Sequence, residues 1–116
     1  MKYIFTALFF LLSSNAFADV SYELEQLMGW TIVDVKTIEG HQERGEQKQI
    51  GFEGCNGDTY IYFIDGSVAQ CMSLGLQLAL MPKAIIFGKK TTYQGKEIIM
   101  YKMLVKEKTY SIFFSK

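Results

Sequence analysis

A period of two, broken at short intervals by turn dipeptides, constrains this chain more than any other feature. From Trp30 onward apolar residues recur at every second position in short runs. Asn56-Gly57, Asp65-Gly66, Gln94-Gly95 and the triplet Lys106-Glu107-Lys108 separate those runs. Successive side chains on a strand point to opposite faces, so this pattern lets each segment bury one side. Turns of the Asn-Gly and Asp-Gly type match the twist of antiparallel strands and join them as hairpins.

Thr31 to Ile38 is rich in β-branched residues and reads as a strand. His41 to Gln49 holds no apolar residue and reads as an exposed loop, or the tip of a long hairpin, with His41 in it. Ile50 to Glu53 reads as a short strand, Gly54 to Asp58 as a turn and Thr59 to Ile64 as a strand. Val68 onward is the return strand. Ser67 and Gln70 have the spacing of a helix capping box, but the preceding Asp-Gly turn and the alternation that follows favour a strand. Leu74, Leu76, Leu78 and Leu80 alternate with Gly75, Gln77 and Ala79, which predicts a strand with its leucines on the buried face. Pro82 stops it, because proline donates nothing to a ladder. Ala84 to Tyr93 and Lys96 to Val105 form the next hairpin, and Thr109 to Phe114 closes the chain. Ile98 to Val105 is apolar on both faces apart from Lys102, which predicts a central strand covered on both sides.

One helix precedes the strands. Ser21 suits a cap, Glu23 the first turn and Gly29 the left-handed residue past the end. Leu24, Leu27 and Met28 share one face of it. The expected fold is mainly β. It is an antiparallel meander forming a small barrel or sandwich-like roll, with a short N-terminal helix against one face or end.

The first residues carry a different signal. Lys2 is followed by the apolar run Ile4 to Leu12 and by Ala16-Phe17-Ala18, the layout of a cleavable signal peptide over 1–18. The run is too short to span a bilayer, which takes ~20 residues. The expected mature chain is one β-rich domain over 19–116, periplasmic or secreted from a bacterium, with no transmembrane segment after processing. In such a compartment Cys55 and Cys71 are expected to form a disulfide, worth ~3 kcal/mol for a loop of about 15 residues. Their spacing fits no zinc or redox motif.

Chemistry is sparse. His41 is the sole histidine, and the Gly-x-Ser-x-Gly elbow, phosphate loop and dinucleotide fingerprint are absent. Glu39, Glu43, Glu46, Glu53 and Asp58 surround His41 in sequence but match no calcium loop. We therefore expect no catalytic residues, no metal and no cofactor. A near-neutral chain lacks the positive field that nucleic acid requires. Tyr60 and Tyr62 share one strand face, and paired tyrosines offer apolar area with polar tips. With His41, Asn56 and Asp58 they are the candidate binding residues. The expected function is a small exported, non-catalytic module that contacts another protein, in an inhibitor or immunity-type role. The alternative is a β-barrel with a small ligand inside it; a hydrolase built on His41 and the nearby carboxylates ranks third.

Overall fold

A computed structural model describes residues 21–115. The expected signal segment and its cleavage site lie outside the described residues. Residues 21–25 form one helical turn and a half, α1, and Gly29 ends the turn that follows it at φ +85°. Of the apolar face expected there, only Leu27 is buried; Leu24 and Met28 face outward. So short a helix packs through one side chain.

Among the described residues nine strands follow: β1 (Thr31–Glu43), β2 (Gln49–Ile50), β3 (Phe52–Asn56), β4 (Thr59–Phe63), β5 (Val68–Cys71), β6 (Leu74–Ala79), β7 (Lys83–Tyr93), β8 (Lys96–Val105) and β9 (Lys108–Phe114). All pairings are antiparallel. The large sheet runs β2-β1-β4-β5-β9-β8-β7, and β1 also pairs with β7, so six strands close into a barrel. β1 makes this possible by its length. Its first half, from Thr31 to Thr37, pairs with β7, and its second half, from Ile38 to Glu43, pairs with β4. Register shifts between Ile32 and Asp34 and between Ile38 and Gly40 bend it around the barrel.

The turns decide the rest. Gln94 and Gly95 both have positive φ (51° and 78°), as a two-residue hairpin turn requires, and Tyr93 faces Lys96 across it. Asp65-Gly66 sits in a three-residue loop, because Tyr62 pairs with Val68 and Phe63 N–H donates to the Ser67 carbonyl. Asn56-Gly57 departs from expectation. It is a corner, since β3 leaves it toward a separate two-stranded ribbon with β6 while β4 stays in the barrel.

Alternate residues fill the barrel. Ile38, Ile61, Ala69, Ala84, Met103 and Val105 are fully buried, with Phe63, Ile86 and Ile112 nearly so. The interior is therefore packed with side chains. The ribbon β3–β6 lies over this core. Phe52 packs edge-on against Tyr110 at 5.5 Å, and the Cys55–Cys71 disulfide, with Cα atoms 6.0 Å apart, ties β3 to the end of β5. The expected bridge is present, and the corner at Asn56-Gly57 is what brings Cys55 back over Cys71, which itself pairs with Thr59.

β8 is central in its pairing, between β7 and β9, but not covered along its length. Only its second half is buried; Ile98, Ile99 and Met100 are exposed. β1 leaves β7 at the Thr31–Gly88 pair and β9 leaves β8 at Tyr101–Ile112, so the β7–β8 hairpin projects beyond the barrel. A double-apolar strand was expected to be covered; here its neighbours are too short to cover it.

Candidate functional site

The least expected surface belongs to β6. The strand is where the alternation places it, but its faces are reversed. Leu74, Leu76, Leu78 and Leu80 are 73–80% exposed, while Gly75, Gln77 and Ala79 turn toward the barrel. The inward residues explain the reversal. A Cβ on Gly75 would stand 3.0 Å from Tyr110 Cε1, so the ribbon approaches the core through a residue with no side chain. Gln77 accepts a hydrogen bond from Tyr110 Oη (2.9 Å) and donates to the Val105 carbonyl (2.9 Å). Both ends of its amide are engaged, and leucines on this face would leave the Tyr110 hydroxyl unpaired. Burial also pushes the Tyr110 hydroxyl up to about 12, with the Glu23 charge adding to the effect.

The leucine row is thus held outward by specific contacts underneath it. At one end it runs on to Ile50, beside Leu78 and Leu80 around a depression of about 350 Å³. Gly54, opposite Leu76, shapes the ribbon. Its φ is +91° at a register shift, and a Cβ there would meet the Gly75 carbonyl oxygen at 2.0 Å. β6 has β3 on one side only. Lys108 Nζ donates to the Leu76 carbonyl at 2.8 Å, which occupies part of the strand's backbone edge. The exposed apolar surface of β6 is its leucine face.

The residues singled out from sequence divide into three groups. His41 is not a loop residue: β1 continues through it, and it is 2% exposed. Its Nδ1 lies 2.7 Å from the Gly51 carbonyl, so Nδ1 carries the proton and donates, and Nε2 is 3.6 Å from Glu53. His41 pins the chain where β2 gives way to β3. The polar run after it does form a hairpin tip, with His41 paired to Gln49 at its base.

Tyr60 and Tyr62 face outward and are half-buried, while Thr59, Ile61 and Phe63 fill the opposite face. Tyr62 Oη donates to Gln42 (2.5 Å), and Lys48 sits 4.6 Å above its ring. Tyr60 lies between Gln42 and Gln70 in the sheet.

Asn56 and Asp58 join a small network at the end of that surface. Asn56 Oδ1 accepts from the Asp58 N–H, Gln70 Nε2 donates to Asp58 (2.8 Å), and Arg44 approaches Asp58 at 3.5 Å. Thr59, fully buried, donates to Glu43 and accepts the Asn56 N–H. The structure therefore groups Tyr60, Tyr62, Asn56 and Asp58 along β4 and leaves His41 apart. The leucine row was missed as a site because alternation shows that a strand has two faces but not which one is inward. The signal available was the inward-facing trio itself: Gly75 and Ala79 are small, and Gln77 is polar.

A second surface lies on the projecting hairpin. Gly29, Thr31, Val33, Gly88, Ile99 and Tyr101, with Lys89 and Lys90 at the rim, enclose a groove of about 510 Å³. At the barrel mouth beyond it, Lys36 lies over the rings of Phe63 and Phe114 and bridges Asp65 (2.5 Å) and Asp34 (3.4 Å). The hydrogen bond from Lys36, and then those from Ser67, hold the Asp65 carboxyl well below the usual carboxylate range.

No group of three or more potential metal ligands occurs among the described residues, and no described helix is long and apolar enough to cross a membrane. No family model, curated protein or solved structure matches this chain.

Proposed function

We propose that this chain is a non-catalytic binding module that contacts another protein through the outer face of the β3–β6 ribbon. The observation that carries this reading is the row of four leucines, each about three-quarters exposed, three on a strand whose inner face is fixed by the core and Leu80 just past its end. Scattered exposed leucines need no explanation, but a contiguous apolar row does.

The shape favours a protein over a small molecule. Leu80 lies six positions after Leu74, which at 3.3–3.4 Å per residue is a row of about 20 Å along the surface, without an enclosing wall. Roughly 500 Å² of leucine surface is open there, and Ile50 extends it, approaching the ~800 Å² per partner of a standard interface. The barrel interior is filled, so the alternative of a ligand carried inside the strands has no room. His41 is buried and committed to the Gly51 carbonyl, which removes it from the reach of a substrate. The disulfide accords with export to an oxidising compartment, a periplasmic or secreted setting in which an inhibitor or immunity-type role would operate.

The test is a double variant, Leu76→Ser with Leu78→Ser. Both side chains are exposed, so the melting temperature should stay within a degree or two, while complex formation with the native partner falls at least tenfold by sedimentation. An undiminished complex, or a partner that is lost only because the variant unfolds, overturns the assignment of this face. A second copy of this chain as the partner appears in the same experiment as a dimer.

A further inference from the structure

The groove on the projecting hairpin is a separate site, and we infer that it binds a single-chain anionic amphiphile, an acyl chain bearing a carboxylate. Three observations converge on it. The first is shape and lining. About 510 Å³ is within the range of small-ligand sites, and Val33, Ile99 and Tyr101 line it with their side chains closed over the buried Gly88. Gly88 lets these side chains approach the sheet: a Cβ there would come within 3.2 Å of Val33 and 3.6 Å of Ile99. Val33 and Ile99 remain 53% and 49% exposed, apolar surface that an acyl chain would cover.

The second is continuity. Val33 and Tyr101 also line a further depression of about 220 Å³ that runs to Ile86 and Phe114 at the barrel mouth. The two spaces share Val33 and Tyr101, and the inner one is bounded by Asp34 and Lys36, which belong to the Lys36–Asp34–Asp65 cluster. Lys36 is already matched by two carboxylates there, so that end offers no free positive charge.

The third is charge. The near-zero net charge conceals a strong separation: residues 66–116 carry eight lysines and two glutamates, whereas residues 19–65 carry three basic and ten acidic residues. The outer rim of the groove falls in the basic half. Lys89 and Lys90 stand on it, and among the described residues Lys90 pairs with Glu97 at 3.5 Å. An anionic head beside Lys89 and Lys90 with its chain against Val33, Ile99 and Tyr101 matches both the charge and the apolar lining of the groove.

Trp30, the sole tryptophan, reports on the site. Lys89 lies 5.9 Å and Lys102 4.8 Å from its ring, and Gly29 beside it lines the groove. A carboxylate that draws Lys89 off the indole changes its emission. The experiment titrates the 19–116 chain with dodecanoate below its micelle concentration, followed by Trp30 fluorescence and by calorimetry. Saturable one-to-one binding is expected. It should weaken about tenfold in Lys89→Gln/Lys90→Gln and be lost in Ile99→Asp, with melting temperatures unchanged at these exposed positions. Leu76→Ser/Leu78→Ser should bind dodecanoate normally, which separates this site from the leucine face. Absence of saturable binding, equal affinity for dodecanol, unaltered affinity in the lysine variant, or loss of binding in the leucine variant would each overturn the inference. So would binding seen only with acyl chains presented in anionic vesicles.

Discussion

Single residues set the position of the ribbon, and they are where its stability is most easily disturbed. Gly54 is the sharpest case, because its positive φ and the Gly75 carbonyl at 2.0 Å from any Cβ both exclude a side chain. Gly54→Ala should cost ~2–3 kcal/mol, read from urea unfolding. Gly66→Ala, also at positive φ but with open space around it, should cost distinctly less. Equal costs would mean that the close approach of β3 and β6 is not what Gly54 serves. Tyr110 makes a pH-dependent contribution. Its hydroxyl is held at about 12 in the folded chain against an ordinary value of 10.0, chiefly by burial. A neutral form favoured by folding stabilises fully below pH 10, and that contribution is lost as pH rises toward 12. Thermal unfolding should therefore show a decline over that window, smaller in Tyr110→Phe. That variant should itself be less stable at neutral pH by ~1–2 kcal/mol, since Gln77 loses its donor.

The elements show what was legible in the sequence and why some of it was not. Strand identity came through well, because β-branched content and turn dipeptides act locally: Thr59–Phe63, the Gln94-Gly95 hairpin and β9 stand where the pattern places them. Facing came through poorly, because it depends on partners distant in sequence. The leucines of β6 point outward since Tyr110, 33 residues away from Gln77, claims the inner face. His41 is buried although its neighbours on the C-terminal side are polar, because β1 outlasts its apolar stretch to pair with β4. The candidate site inherited that error. Tyr60 and Tyr62 were placed on their correct shared face, but the leucine row was assigned to the core. The disulfide is the element-scale clamp that keeps β3 over the barrel. Reducing it should lower stability by ~3 kcal/mol, and the amides of β3 and β6 should gain exchange more than those of β4 and β5. Uniform acceleration across the barrel would show that the ribbon is not a separate cooperative unit.

At the scale of the whole molecule, a filled six-strand barrel serves as a rigid support for two outward surfaces of different chemistry. One is apolar and elongated, the leucine row of the ribbon, with Glu53 beside it. The other is a groove on the projecting hairpin with lysines at its rim. A disulfide and a packed core leave little for binding to reorganise, and preformed surfaces lose less entropy on association. The contact face can be mapped without knowing the partner. A photoreactive benzophenone side chain would replace, one at a time, Leu76, Leu78, Tyr62 and Lys96 in the chain expressed in its own cells. We expect one discrete adduct, of the same mass, from positions 76 and 78, and none from 62 or 96. Adducts from Tyr62 with silence at both leucine positions would contradict the account and move the contact to the β4 face.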